Sequence, residues 1–83
     1  MLKDIQITDG VVRETRDDGT AYISPIEAYD ATEAETARIF IVSKVLDTNN
    51  PLSFEEKDRL FDCLKIIHEV IEREINDSAI NAI

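Results

Sequence analysis

The stretch that decides the fold is Ile5-Gln6-Ile7-Thr8-Asp9-Gly10-Val11-Val12-Arg13-Glu14-Thr15-Arg16, followed by Asp17-Asp18-Gly19-Thr20-Ala21-Tyr22-Ile23. Ile5-Gln6-Ile7-Thr8 alternates apolar and polar residues, the period of a strand buried on one side. Asp9-Gly10 has type I′ hairpin chemistry, because Gly accepts positive φ without strain and Asp tolerates it. Asp18-Gly19 repeats that chemistry, and Thr20-Ala21-Tyr22-Ile23 is rich in β-branched and aromatic residues. Residues 2–24 are therefore expected to form a three-stranded antiparallel meander.

Register tests this expectation. A two-residue turn at Asp9-Gly10 sets Thr8 opposite Val11, Ile7 opposite Val12 and Ile5 opposite Glu14. A two-residue turn at Asp18-Gly19 sets Arg16 opposite Ala21 and Glu14 opposite Ile23. Cross-strand neighbours share a face. One face is then Ile5, Ile7, Val12, Glu14, Ala21 and Ile23, and the other is Gln6, Thr8, Val11, Arg13, Thr15 and Tyr22. Glu14 is the misfit on the apolar side, which a bulge or an edge position would accommodate.

Downstream the period changes to that of helices. Residues 25–47 are expected to be helix one, entered through Ser24-Pro25-Ile26-Glu27, which combines a capping residue, a proline at the first helical position and a glutamate three after the cap. Thr32 with Glu35 offers a second start, so the segment is either one long helix or a short turn and then a helix. Asp47-Thr48-Asn49-Asn50-Pro51 ends it. Residues 53–77 are expected to be helix two, capped by Ser53 with Glu56 three residues on, and supported by opposite charges four apart at Glu55–Arg59, Lys65–Glu69 and Glu69–Arg73. Residues 78–83 form a frayed extension or a small apolar tail. The expected fold is a single α+β domain over residues 1–83, a β-meander followed by a helical hairpin (βββαα).

The helices carry more apolar surface than a helical hairpin under one small sheet can bury. Leu60, Leu64, Ile67 and Ile71 form a seam, with Phe61 and Ile75 on one flank and Cys63, Ile66 and Val70 on the other. Together they cover roughly 220° of the wheel, against the ≳ 100° of an ordinary surface helix. Ile39-Phe40-Ile41-Val42 points around most of the circumference of helix one. The sheet would leave Cys63, Ile66 and Val70, or Ile39, Val42 and Leu46, uncovered. A homo-oligomer joined through the helices is expected to cover them.

The chain has 83 residues, 18 acidic against 9 basic, and a net charge of −9. Apolar residues make up 43%, enough for a folded core. No apolar run exceeds four residues, no signal-peptide stretch opens the chain, and Cys63 has no second cysteine to pair with. A cytoplasmic protein without direct nucleic-acid or membrane contact is expected.

Catalytic equipment is thin. His68 lies at the rim of the apolar face with only Glu72 four residues away, too little for a nucleophile, base and orienter. Cys63 sits mid-helix beside Asp62, a poor setting for a reactive thiolate. Both glycines are used in turns, so no phosphate loop exists, and no metal or cofactor is expected. The protein is expected not to be an enzyme.

Acidity is the remaining signal. Glu27, Asp30, Glu33 and Glu35 stand in helix one, and Asp58, Asp62, Glu69 and Glu72 in the polar stripe of helix two. Acids in first helical turns suit the helix dipole, and net charge favours solubility. Beyond that, such a surface can dock on a basic site of another protein, presenting carboxylates where a nucleic acid presents phosphates. In size, acidity and lack of catalytic residues the chain is similar, as a class, to small regulatory and inhibitor proteins, those of phages and mobile elements included. The alternative is an oligomer that binds a small anionic ligand such as a nucleotide through Arg13, Arg16, Tyr22 or Tyr29.

Overall fold

The computed structural model describes the backbone of residues 1–81 and the side chains of residues 1–76. Three strands, β1 (Leu2–Thr8), β2 (Val11–Arg16) and β3 (Ala21–Pro25), form one antiparallel sheet in the order β1-β2-β3. A short 3₁₀ turn (Ile26–Ala28) leads into α1 (Ala31–Leu46), and α2 (Phe54–Asn81) follows. The fold is the α+β βββαα arrangement. No helix among the described residues is long and apolar enough to cross a membrane.

The first hairpin follows its turn chemistry. Asp9 and Gly10 both take positive φ, 53° and 75°, as a type I′ turn requires. Thr8 pairs with Val11, Ile7 with Val12 and Ile5 with Glu14, as the alternation predicts. A bulge interrupts the ladder between Leu2 and Asp4, at the start of β1 and not at Glu14.

The second hairpin corrects the expected register by one residue. Thr15 pairs with Ala21, Glu14 with Tyr22, Arg13 with Ile23 and Val12 with Ser24. The loop holds Asp17, Asp18 and Gly19. Gly19 N donates to the Arg16 carbonyl oxygen, Arg16 N donates to that of Thr20, and Gly19 takes φ +88°. Asp18 Oδ1 accepts from both the backbone N (3.0 Å) and the hydroxyl (2.6 Å) of Thr20, which locks the three-residue form. Because the side-chain period of a strand is two, the slip moves all of β3 to the other face. Tyr22 and Ser24 join Ile5, Ile7, Val12 and Glu14 on the core side, while Ile23 lies on the outer face, 63% exposed.

Helix one starts between the two expected caps, after Ser24 and before Thr32. Ser24 belongs to β3, and its hydroxyl donates to the Pro25 carbonyl instead of capping. The cap is Asp30: its side chain accepts from Glu33 N at 2.8 Å, and the Glu33 carboxylate reaches back to Asp30 N at 3.4 Å. This is a capping box one pattern away from the Thr32–Glu35 pair that sequence suggests. Helix two is capped as expected, with Glu56 N donating to Ser53 Oγ at 3.2 Å, and its backbone runs on to Asn81. The expected tail is thus helical to Asn81, and residues 82 and 83 lie outside the described residues.

The core lies between sheet and helical hairpin. Ile5 and Val12 meet Ala34, Ala37 and Ile41 from α1 and Leu60, Cys63, Ile67 and Val70 from α2, with Tyr29 fully buried at the entrance to α1. The small side chains of Ala34 and Ala37 let α1 approach closely. Arg59 anchors α2 to β1: Nη1 donates to the Ile5 carbonyl at 2.7 Å and Nη2 meets Asp4 at 3.0 Å and Glu56 at 3.1 Å. The expected Glu55–Arg59 pair is replaced by this longer-range one. Arg73 likewise serves the fold, donating to the Tyr29 carbonyl at 3.3 Å.

Candidate functional site

Three features survive once the core is accounted for: an apolar groove on the helical hairpin, an acidic stripe on α2, and a cavity between sheet and α1.

The groove runs between α1 and α2. Its floor is Val42, Leu64 and Phe61, and its rim carries Arg38, Lys65, His68, Glu69 and Glu72. Beside it Ile39, Leu46 and Ile75 are exposed by 57%, 71% and 61%. Of the six residues expected to meet a second copy, Ile39, Val42 and Leu46 are therefore available. Cys63 and Val70 are not: each is 3% exposed inside the single chain, because the buried seam of α2 is Leu60–Cys63–Ile67–Val70 and is rotated from the expected Leu60–Leu64–Ile67–Ile71. Ile66 is partly buried beside β1. The rotation comes from the sheet, which sits against the Cys63 side and leaves Phe61 and Ile75 to solvent. Burial pushes the Cys63 thiol pKa up, so the thiolate is disfavoured. His68 Nε2 lies 3.3 Å from Glu72 Oε1 at the groove rim, both side chains mostly exposed.

The eight acids expected to meet a partner divide into two groups. Asp30 and Glu33 form the capping box, and Glu35 is paired with Arg38, whose hydrogen bond and charge lower the Glu35 pKa. Glu27 is exposed in the 3₁₀ turn, away from the rest. Asp58, Asp62, Glu69 and Glu72 are all exposed on α2, turned away from the core. Fourteen steps from Asp58 to Glu72 make a stripe of about 21 Å at about 1.5 Å per step. Lys65 interrupts it, and Asp58, Asp62 and Glu69 form no ion pair among the described residues.

The four residues proposed for an anionic ligand do not converge. Arg13 stands on the outer sheet face opposite Ile23, and Tyr29 has no exposed surface. Arg16 and Tyr22 do line one cavity, of about 300 Å³, but they share it with Glu14 and Glu33, with Leu2, Thr32 and Thr36, and with Met1, whose N-terminal ammonium lies 3.9 Å from Asp17. Glu14 is 7% exposed. Its carboxyl pKa is raised, chiefly by desolvation and further by the charge of Glu33, against the adjacent Tyr29 hydroxyl and the more distant charge of Arg16. The Tyr29 hydroxyl donates its proton to the Glu33 carbonyl oxygen at 3.2 Å, and burial beside Glu14 raises its pKa strongly. Sequence pointed to Arg16 and Tyr22 as ligand residues and to the misfit carboxylate at position 14 on an otherwise apolar face, and all three line this cavity. It carried no such signal for Thr32, Glu33 and Thr36, which reach the cavity only because α1 crosses that end of the sheet.

Among the described residues no group of three histidine, cysteine or acidic side chains stands close enough to hold a metal ion. No known protein family, curated protein or solved structure matches the chain.

Proposed function

We propose that this protein is a non-enzymatic interaction protein that docks on a basic surface of another macromolecule and regulates or inhibits it. The observation that carries this reading is the α2 stripe of Asp58, Asp62, Glu69 and Glu72, exposed on a rigid helix and aligned over about 21 Å. Carboxylates fixed along a helix project charge in one direction without the entropy cost of ordering a flexible tail. A basic nucleic-acid-binding site is one target of that chemistry, since its cations are spaced to receive a row of anions. We assign the protein to the cytoplasm, in keeping with its single buried thiol.

A second copy of the chain is the proposed cover for the groove. Its floor is apolar, and its rim carries Arg38, Lys65 and His68 beside Glu69 and Glu72, so a two-fold axis can set each sign against the other. Two helical hairpins laid together form a four-helix layer, with Asp58 and Asp62 on its outside and Glu69 and Glu72 at its open edge.

The test is affinity capture with the wild-type chain and with a stripe variant carrying Asp58→Asn, Asp62→Asn and Glu69→Gln. A specific partner retained at low salt, released at high salt and lost by the variant supports the reading. Retention that is independent of salt and unchanged by the variant overturns it.

A further inference from the structure

Glu14 poses a problem that the stripe and the groove do not answer. A carboxylate on a residue only 7% exposed, opening onto a cavity, favours a cation or several donors that receive it there. Glu14 forms no ion pair among the described residues, and the Tyr29 hydroxyl beside it gives its proton to the Glu33 carbonyl oxygen. Across the ladder Glu14 faces Tyr22, and both line the cavity between the sheet and the first turns of α1. Glu33 lines it from the helix side, so two carboxylates share one space, an arrangement that an intervening cation relieves.

We infer that this cavity binds a small zwitterionic amine, its ammonium held by Glu14 and Glu33 and its anionic end by Arg16. The two carboxylates exclude a ligand that is only an anion. Arg16, on the same side of β2 two residues from Glu14, excludes one that is only a cation. Tyr22 supplies a ring wall suited to an ammonium or to the methylenes beside it. Thr36, whose hydroxyl already donates to the Thr32 carbonyl at 3.2 Å, keeps its oxygen free to accept from the ammonium. At about 30 Å³ per water-sized group, a volume of about 300 Å³ takes on the order of ten non-hydrogen atoms, the size of a small amino acid. The site is remote in chemistry and place from the α2 stripe, so it stands or falls separately from the docking function.

The experiment is isothermal titration calorimetry of the full chain with unbranched ω-amino carboxylates of three to six carbons, and with n-butylamine and butyrate as single-charge controls. One or more of the zwitterions is expected to bind saturably. Glu14→Gln, which keeps the shape and loses the charge, is expected to weaken that binding by about tenfold or more. Arg16→Gln is expected to erase the advantage of the zwitterion over butylamine. Glu33→Gln, which preserves the capping box, provides a second charge deletion should Glu14→Gln fail to fold. Absence of saturable binding by every zwitterion in the millimolar range overturns the proposal. So does binding unchanged by the Glu14→Gln or Glu33→Gln variant, or butyrate binding as tightly as the zwitterions.

Discussion

Arg59 of α2 donates through Nη1 to the carbonyl oxygen of Ile5 on β1 at 2.7 Å, across 54 residues of sequence. A charged donor on a partly buried carbonyl is among the stronger hydrogen bonds of a fold. Here it is the polar counterpart of the apolar contact between α2 and β1. Arg59→Ala is expected to cost about 1–3 kcal/mol in urea unfolding. Arg59→Lys should recover only part of that loss, because one ammonium cannot reach the Ile5 carbonyl, Asp4 and Glu56 with the same fork. An alanine variant as stable as the wild type would remove this bond from the account.

Helix one begins at Asp30. Asp30→Ala breaks both halves of the capping box and is expected to cost about 0.5–2 kcal/mol. Thr32→Ala, at the cap that sequence alone suggests, is expected to stay within about 0.5 kcal/mol, because Thr32 is exposed and its neighbours are capped without it. Thermal unfolding of the two variants side by side distinguishes the two starts.

Glu14 makes a pH prediction whose sign is definite. Its folded pKa lies above the ordinary value of 4.5, so in the pH range above 4.5 the folded state holds more protons than the unfolded state. Stability therefore falls as pH rises from about 4.5 through the raised value and then levels off. Asp18, Glu35 and Asp47 have lowered values and act in the opposite sense, losing their contribution as pH falls, but they are common to wild type and variant. The stability gap between Glu14→Gln and wild type is thus expected to open in favour of the variant as pH rises above 4.5. Urea midpoints measured from pH 4 to pH 8 check it, and a gap that closes or reverses over that range contradicts the assignment.

Phe61 is 51% exposed on the groove floor and is not part of the buried core. Phe61→Asp is expected to leave the fold intact, as far-ultraviolet circular dichroism will report. If a second copy covers the groove, sedimentation should show wild type heavier than the 9.4 kDa chain and the variant at that mass. A wild type that sediments only at 9.4 kDa at micromolar concentration would leave the groove without its proposed occupant.

What the sequence by itself determined is local. Asp9-Gly10 and the alternation of Ile5 to Thr8 were enough for the first hairpin and its register, because a two-residue turn allows one pairing. Ser53 with Glu56 was enough for the start of α2. What tertiary structure decided is everything that depends on competition between equivalent local signals. Asp17 could pair or enter the loop, and the Asp18–Thr20 bonds chose the loop, which turned Tyr22 inward to face Glu14. Sequence offered caps at Ser24 and Thr32, and the chain used neither: it used Asp30, once Ser24 had been taken into the sheet opposite Val12. An apolar arc of roughly 220° on α2 has no preferred face until a neighbour arrives. The sheet took the Cys63–Val70 side and left Phe61 and Ile75 outside. At the helix-one cap and on α2, side-chain pattern leaves alternatives nearly equal in energy and long-range burial breaks the tie, whereas in the second hairpin a local bond across two residues does so.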